Sequence, residues 1–71
     1  MTSVVNEHLT ELLAAEPHRV SRAMRELGSH FYRALADALD RADPTNRRLI
    51  LQTWTEAIWS LYDRGRALPD E

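Results

Sequence analysis

The 71-residue chain has no cysteine and no lysine, and it contains only two glycines and three prolines. The lack of cysteine excludes disulfides, thiolate nucleophiles and cysteine-based zinc sites. Two isolated glycines cannot form a glycine-rich loop, so no phosphate-binding loop is expected. No apolar run approaches the ~20 residues that cross a bilayer, and the chain start lacks the pattern of a secretory leader. These absences predict a cytoplasmic protein with no membrane segment.

The balance of residue types is that of a folded domain, with 44% apolar and 28% charged residues. We expect a single helical domain over residues 1–71. The formal net charge of −2 argues against a protein held to nucleic acid by bulk attraction. A core of this size rarely supplies more than ~3–5 kcal/mol. With no disulfide and no metal set to add stability, a homodimer is expected.

Apolar residues at helical spacing predict three helices and a tail, over residues 3–15, 17–42, 44–64 and 65–71. Pro17 ends the first helix because proline lacks a backbone N–H. Asp43 and Pro44 are an N-cap and a first-turn proline, which makes the second and third helices an antiparallel hairpin. Gly65 is the predicted C-terminal cap of the third helix. The predicted fold is therefore all-α, a helical hairpin of two long helices with a short N-terminal helix, dimerised with a second copy.

The apolar stripes of these helices define a predicted core that extends into the dimer interface. Its residues are Leu9, Leu13, Val20, Met24, Leu27, Phe31, Leu35, Leu51, Trp54, Ile58 and Leu61. In the second helix the apolar residues recur at heptad spacing. Gly28 interrupts that pattern and costs about 1 kcal/mol relative to alanine. It either weakens the helix or lets a second helix approach closely.

A further group of residues forms the predicted partner-binding site. Its members are Trp59, Leu49, Glu56, Asp63, Tyr32 and Arg25. Trp59 and Leu49 lie roughly 140° to either side of Trp54 around the third helix, outside its stripe. They are either covered by the first helix or a second copy, or exposed as a recognition surface. Because tryptophan is enriched among binding hot spots, Trp59 is the first candidate for an anchor, with Glu56 and Asp63 placed to meet basic groups. Tyr32 lies beside Arg25 at the edge of the apolar stripe of the second helix. It is either part of an interface or a half-buried residue at the edge of the core.

No residue set in the sequence indicates a reaction. His8, His18 and His30 are ten and twelve residues apart, without the i,i+4 spacing of a helical metal site. Asp37, Asp40 and Asp43 do not indicate a carboxylate site, because Asp37 is expected to pair with arginine, Asp43 to cap a helix and Asp40 to be solvated. We therefore expect no enzyme activity, no catalytic residue, no metal and no cofactor.

A DNA-binding function is one alternative. Residues 18–28 look like the recognition helix of some helix-turn-helix repressors, with Arg19, Arg22 and Arg25 able to reach phosphates or guanine edges. Glu16-Pro17 replaces the usual glycine-containing turn, and the apolar register continues as one long helix. Both features disfavour this interpretation. A purely structural dimer, such as a virion subunit, is another alternative.

The stretches Leu12–Ala23 and Arg33–Ile50 resemble small early proteins of Mu-like phages that infect pseudomonads, in particular the phage anti-quorum-sensing protein family. The resemblance rests on length and helix layout, with no signature motif and no contact residue to transfer. It implies a helical homodimer in the cytoplasm of the infected host. Such a protein would bind a LuxR-type quorum-sensing regulator through its DNA-binding domain and block operator binding. A type IV pilus assembly ATPase is the second implied partner, and an anti-CRISPR protein is the rival assignment.

Overall fold

The computed structural model describes residues 3–66, and within them the chain forms five α-helices and no strand. The helices are α1 Val4–Ala14, α2 Pro17–Leu27, α3 His30–Arg41, α4 Pro44–Thr53 and α5 Thr55–Gly65. The all-helical prediction is confirmed. The predicted hairpin of two long helices is wrong, because each long helix is divided into two. Residues 67–71 of the predicted tail lie outside the described residues.

Local chemistry at the chain turns sets where helices begin. The Ser3 side chain accepts a hydrogen bond from the Asn6 amide at 3.1 Å, and the Asp43 side chain accepts one from Asn46 at 2.9 Å. Each bond satisfies an amide that has no partner inside its own helix. Pro17 and Pro44 stand at the first helical positions, where the missing N–H costs nothing.

The break between α2 and α3 lies at Gly28 and Ser29. Both residues are extended, with φ/ψ of −91°/169° and −74°/179°. A Cβ atom added to Gly28 would lie 2.5 Å from the Met24 carbonyl oxygen and 2.6 Å from Tyr32 Cβ. The turn therefore has room only for glycine. Because two extended residues reset the helical phase, Phe31 no longer continues the apolar stripe of α2 and is 51% exposed.

Ion pairs hold the two helices together across this break. The Nη2 atom of Arg25 donates to Asp37 Oδ1 at 2.8 Å, and the same atom also donates to an Asp40 carboxylate oxygen. In return, Arg33 Nε donates to the Arg25 carbonyl oxygen at 3.2 Å, which satisfies one of the terminal carbonyls of α2. Arg25 thus joins α2 to α3 within the chain.

The break between α4 and α5 lies at Trp54, whose φ/ψ of −119°/38° is not helical. The buried Thr55 hydroxyl lies 2.7 Å from the Leu51 carbonyl oxygen and 3.0 Å from that of Gln52. The hydroxyl therefore donates to carbonyl oxygens that lose their backbone N–H partners because α4 ends here.

The core lies where α2 packs against α3 and α5, with α1 laid across α4 and α5. The buried apolar side chains are Leu12, Val20, Ala23, Met24, Ala36, Leu39, Leu51, Ile58 and Leu61. Of the other predicted core residues, Leu9, Leu13, Leu27, Leu35 and Trp54 are partly buried against this cluster. Phe31, exposed beside the break, is not a core residue of the single chain.

Gly65 lies inside α5 and is not its cap, which corrects the prediction; Arg66 is the C-terminal cap. A Cβ atom at Gly65 would lie 2.7 Å from Ala23 Cβ. Two small residues therefore let α2 and α5 approach closely at this point. Within residues 3–66, no helix has the length and apolar character needed to cross a membrane.

Candidate functional site

The helices α1 and α5 together carry a group of ring contacts, ion pairs and carboxylates on the surface. We call it the Trp59 surface; it consists of Glu7, His8 and Glu11 on α1, Glu56, Trp59, Tyr62 and Asp63 on α5, and Arg66. A shallow groove runs between the two helices at this place. Because α1 packs on α5, residues far apart in the chain meet here.

The indole of Trp59 is held on one side by His8. The two rings stack, with centroids 4.2 Å apart and planes inclined by 13°. His8 Nδ1 lies 2.6 Å from Glu56 Oε2, and this hydrogen bond fixes the imidazole in position. Trp59 is thus half-buried: α1 covers part of the indole, and the rest remains accessible.

Arg66 contacts the same aromatic group from the end of α5. Its guanidinium carbon lies 5.1 Å from the Trp59 ring centroid and 5.3 Å from that of Tyr62, within cation–π range of both. Its Nη2 donates to Asp63 Oδ1 at 2.5 Å. The Asp63 hydrogen bond raises the pKa of Arg66 above its usual range, and Glu11 adds to the effect. Because an arginine side chain is always protonated, Arg66 is a permanent cation, and it is held against two rings.

The charge of the Trp59 surface is predominantly negative. Its members include four carboxylates, on Glu7, Glu11, Glu56 and Asp63, against one permanent cation, Arg66. An apolar anchor surrounded by carboxylates attracts a basic partner and disfavours an acidic one. The phosphate backbone of a nucleic acid is therefore a poor match for this surface.

The structure brings together only half of the predicted partner-binding residues. Trp59, Glu56 and Asp63 belong to the Trp59 surface, whereas Leu49 lies on α4 with 53% of its surface exposed. Tyr32 is half-buried on α3. Arg25, the third residue outside the Trp59 surface, is engaged in the ion pairs between α2 and α3.

Five residues of the Trp59 surface are absent from the predicted partner-binding set: Glu7, His8, Glu11, Tyr62 and Arg66. From the sequence alone, His8 is considered only as a metal ligand, and Arg66 falls in the predicted tail. The signal for Arg66 is nevertheless present, because it follows Trp59 by seven residues and Tyr62 by four, which places all three on one helix face. No comparable signal exists for His8, whose stacking depends on how α1 crosses α5.

No family model, no curated protein and no solved structure matches the chain. The geometry of the helices and their side chains therefore carries the functional proposal. In the part of the chain that the structure describes, no group of three or more histidine, aspartate or glutamate side chains could hold a metal ion.

A second surface lies on α3. We call it the α3 stripe; it consists of Phe31, Ala34, Leu35 and Ala38, which share one helix face. The Phe31 ring meets Trp54 edge-on at 5.6 Å and Tyr32 at 5.0 Å. Ala34 and Ala38 are exposed and leave the backbone of α3 accessible.

Proposed function

We propose that the chain is a protein-binding module that inhibits a DNA-binding regulator by covering its basic surface. The observation that carries this proposal is the Trp59 surface, where an indole is held in place by His8 and Arg66 within a ring of carboxylates. Tryptophan anchors contribute a large share of binding energy when surrounded by groups that exclude water.

The physical basis of the proposal is pre-organisation. The stack on His8 and the hydrogen bond to Glu56 already restrict the indole in the free chain, so little side-chain entropy is lost on binding. The surrounding carboxylates accelerate association with a positively charged partner. A DNA-binding domain presents such a surface toward phosphates. Occupying it would exclude the operator by steric overlap and by charge.

The resemblance described above indicates which target to test first. It suggests the DNA-binding domain of a LuxR-type regulator in the cytoplasm of the infected host, with a type IV pilus assembly ATPase as the second target. The acidic rim of the Trp59 surface supports the first of these, because a DNA-binding domain is basic where it meets DNA.

The homodimer belongs to the same proposal, and we place the second copy on the α3 stripe. Phe31 is 51% exposed there, and the small side chains of Ala34 and Ala38 allow another helix to pack closely. The Trp59 surface lies on α1 and α5, so a dimer through α3 leaves two copies of it available. A stable interface removes roughly 800 Å² per partner, a substantial part of the 4750 Å² that one chain exposes.

The test is a calorimetric titration of the purified DNA-binding domain with the wild-type chain and with Trp59→Ala. We expect the substitution to weaken binding by ~2 kcal/mol, about 30-fold, because it removes the anchor. Leu49→Ala, an exposed leucine on α4, is the control and should bind as the wild type does. Asp63→Asn keeps the indole and should weaken binding by a smaller factor. Equal affinity for all four proteins would remove the Trp59 surface from the interface.

One observation favours DNA binding as a second candidate function. The break at Gly28 makes α2 a separate short helix, which removes the objection that residues 18–28 begin one long helix. Against this, Arg25 is engaged by Asp37 and Asp40. A gel-shift assay at low salt with random duplex decides the matter: retardation that salt abolishes supports this function, and free migration of the duplex rejects it.

A further inference from the structure

We propose that the end of α5 forms a site for an arginine side chain from a partner protein, and that Arg66 occupies this site in the free chain. The site, which we call the guanidinium cradle, consists of Trp59, Tyr62, Asp63 and Glu11. The inference rests on the proposed function, and it names the chemical group by which the Trp59 surface would recognise its partner.

The guanidinium cradle combines the two features that a guanidinium group prefers. Trp59 and Tyr62 supply ring faces at 5.1 and 5.3 Å from the bound carbon, and Asp63 supplies a carboxylate oxygen at 2.5 Å from a donor nitrogen. A guanidinium is planar, weakly hydrated and rich in donors, so it stacks and hydrogen-bonds at the same time. Glu11 brings a second negative charge from α1. The chain's own arginine thus shows that the cradle accepts this group.

Arg66 is placed so that it can leave without disturbing the fold. It is the cap residue of α5, beyond the last helical residue, and 51% of its side chain is exposed. Its pair with Asp63 is an exposed i,i+3 contact, a class that contributes little to stability. An incoming guanidinium would replace the same ring contacts and the same hydrogen bond. Replacing Arg66 with the partner's arginine therefore loses few interactions at the cradle. The partner's other contacts decide which of the two arginines occupies it.

The cradle should discriminate between arginine and lysine. An ammonium group is compact and strongly hydrated, and it cannot lie flat on the indole while it donates to Asp63. The rim carboxylates of Glu7 and Glu56 attract either cation at longer range. Lysine and arginine are thus attracted equally at long range, whereas only the arginine guanidinium stacks on Trp59. The expected ligand is an exposed arginine in a basic protein segment.

The experiment is an NMR titration of the ¹⁵N-labelled full chain with the peptide acetyl-Gly-Arg-Gly-amide, read at the Trp59 indole N–H. The wild-type chain should show a saturable shift of this resonance, and the matched peptide acetyl-Gly-Lys-Gly-amide should bind more weakly. Arg66→Gln removes the internal competitor and should tighten binding of the arginine peptide about two- to five-fold, the worth of an exposed cation–π contact. Arg64→Gln makes the same charge change outside the cradle and should bind as the wild type does.

Three outcomes would overturn the proposal: equal affinity of Arg66→Gln and Arg64→Gln for the arginine peptide, equal affinity of the two peptides, or a Trp59 indole that does not shift in any variant. Adding Asp63→Asn to Arg66→Gln should reverse the gain. The titration contains no regulator, so its failure leaves the calorimetric test of the proposed function intact. Conversely, arginine binding without regulator binding would leave the cradle established and the proposed target rejected.

Discussion

His8 and His18 have the same side chain in very different surroundings. His8 stacks on Trp59 and hydrogen-bonds Glu56, with 21% of its side chain exposed, whereas 73% of the His18 side chain is exposed. We expect His8→Ala to lower the free energy of unfolding by ~1–2 kcal/mol, because an aromatic contact and a hydrogen bond between α1 and α5 are lost. The matched change His18→Ala should cost less than about 0.5 kcal/mol.

Urea denaturation of both variants measures the difference between these two histidines. Equal changes in the unfolding free energy would show that the His8 stack contributes nothing to the attachment of α1. The pre-organisation of Trp59 would then lose its structural basis.

Asp40 gives the protein a pH-dependent link between α2 and α3. Burial raises the pKa of Asp40, but the hydrogen bond from Arg25, aided by Ser21 and Arg41, outweighs burial and holds the pKa below its usual range. A carboxyl whose pKa is lower in the folded chain stabilises the fold above its unfolded pKa. That stability is lost as the pH falls through the folded pKa.

We therefore expect the free energy of unfolding to decline as the pH is lowered below about 4, with a gentler slope in Asp40→Asn. Arg25→Gln should reduce the slope in the same way, because it removes the main partner of that carboxylate. Thermal unfolding at a series of acid pH values measures this. If the free energy of unfolding of both variants depended on pH as steeply as that of the wild type, the pH dependence could not be assigned to the Asp40–Arg25 pair.

The crossing of α2 and α5 depends on Gly65. Helix propensity alone would make Gly65→Ala stabilising by about 0.5–1 kcal/mol. The new Cβ atom would, however, lie 2.7 Å from Ala23 Cβ, which is fixed to the backbone of α2 and cannot turn away. We expect a net loss of ~1–2 kcal/mol as the two helices are forced apart. Ser60→Ala, at an exposed position on α5, is the control for propensity; a stabilised Gly65→Ala would show that the crossing is loose.

The two helix breaks show what the sequence could and could not reveal about the elements. Gly28 followed by Ser29 is a helix end followed by a capping residue type, so the first break had a signal that the continuing heptad pattern concealed. Trp54 carries no such signal, because neither it nor Thr55 is a helix breaker. At the second break the buried Thr55 hydroxyl bonds to carbonyl oxygens three and four residues earlier in the chain, a local contact of the kind that bends helices. The N-cap Asp43 and the prolines Pro17 and Pro44, which act locally, were predicted correctly, whereas the C-terminal cap predicted at Gly65 was wrong.

Local and tertiary causes can be told apart at the site. The off-stripe position of Trp59 and its acidic neighbours Glu56 and Asp63 follow from spacing along one helix. The partners of Trp59 do not, because His8 reaches it only through the packing of α1 on α5. Phe31 became exposed because the turn at Gly28 changed the phase of the helix that follows.

The proposed dimer is tested by the mass of the protein in solution. We expect the wild-type chain to have twice the 8.2 kDa mass of one chain in light scattering at micromolar concentration. Phe31→Ser removes the largest side chain of the α3 stripe and should return the mass to that of one chain. Leu49→Ser is the control, because Leu49 is similarly exposed, at 53%, but lies on α4. A wild-type monomer, or a dimer that survives Phe31→Ser and dissociates in the control, would remove the second copy from the α3 stripe.

Partner binding through α1 and α5 is tested most directly by an NMR titration of the ¹⁵N-labelled chain with the DNA-binding domain of a LuxR-type regulator. We expect the resonances of the Trp59 indole N–H and of the backbone amides of residues 7–11 and 56–66 to shift and to saturate at the same concentration. The Trp54 indole resonance should not shift. A spectrum that does not change, or shifts confined to α3 and α4, would contradict the proposal that the Trp59 surface is where this protein binds its target.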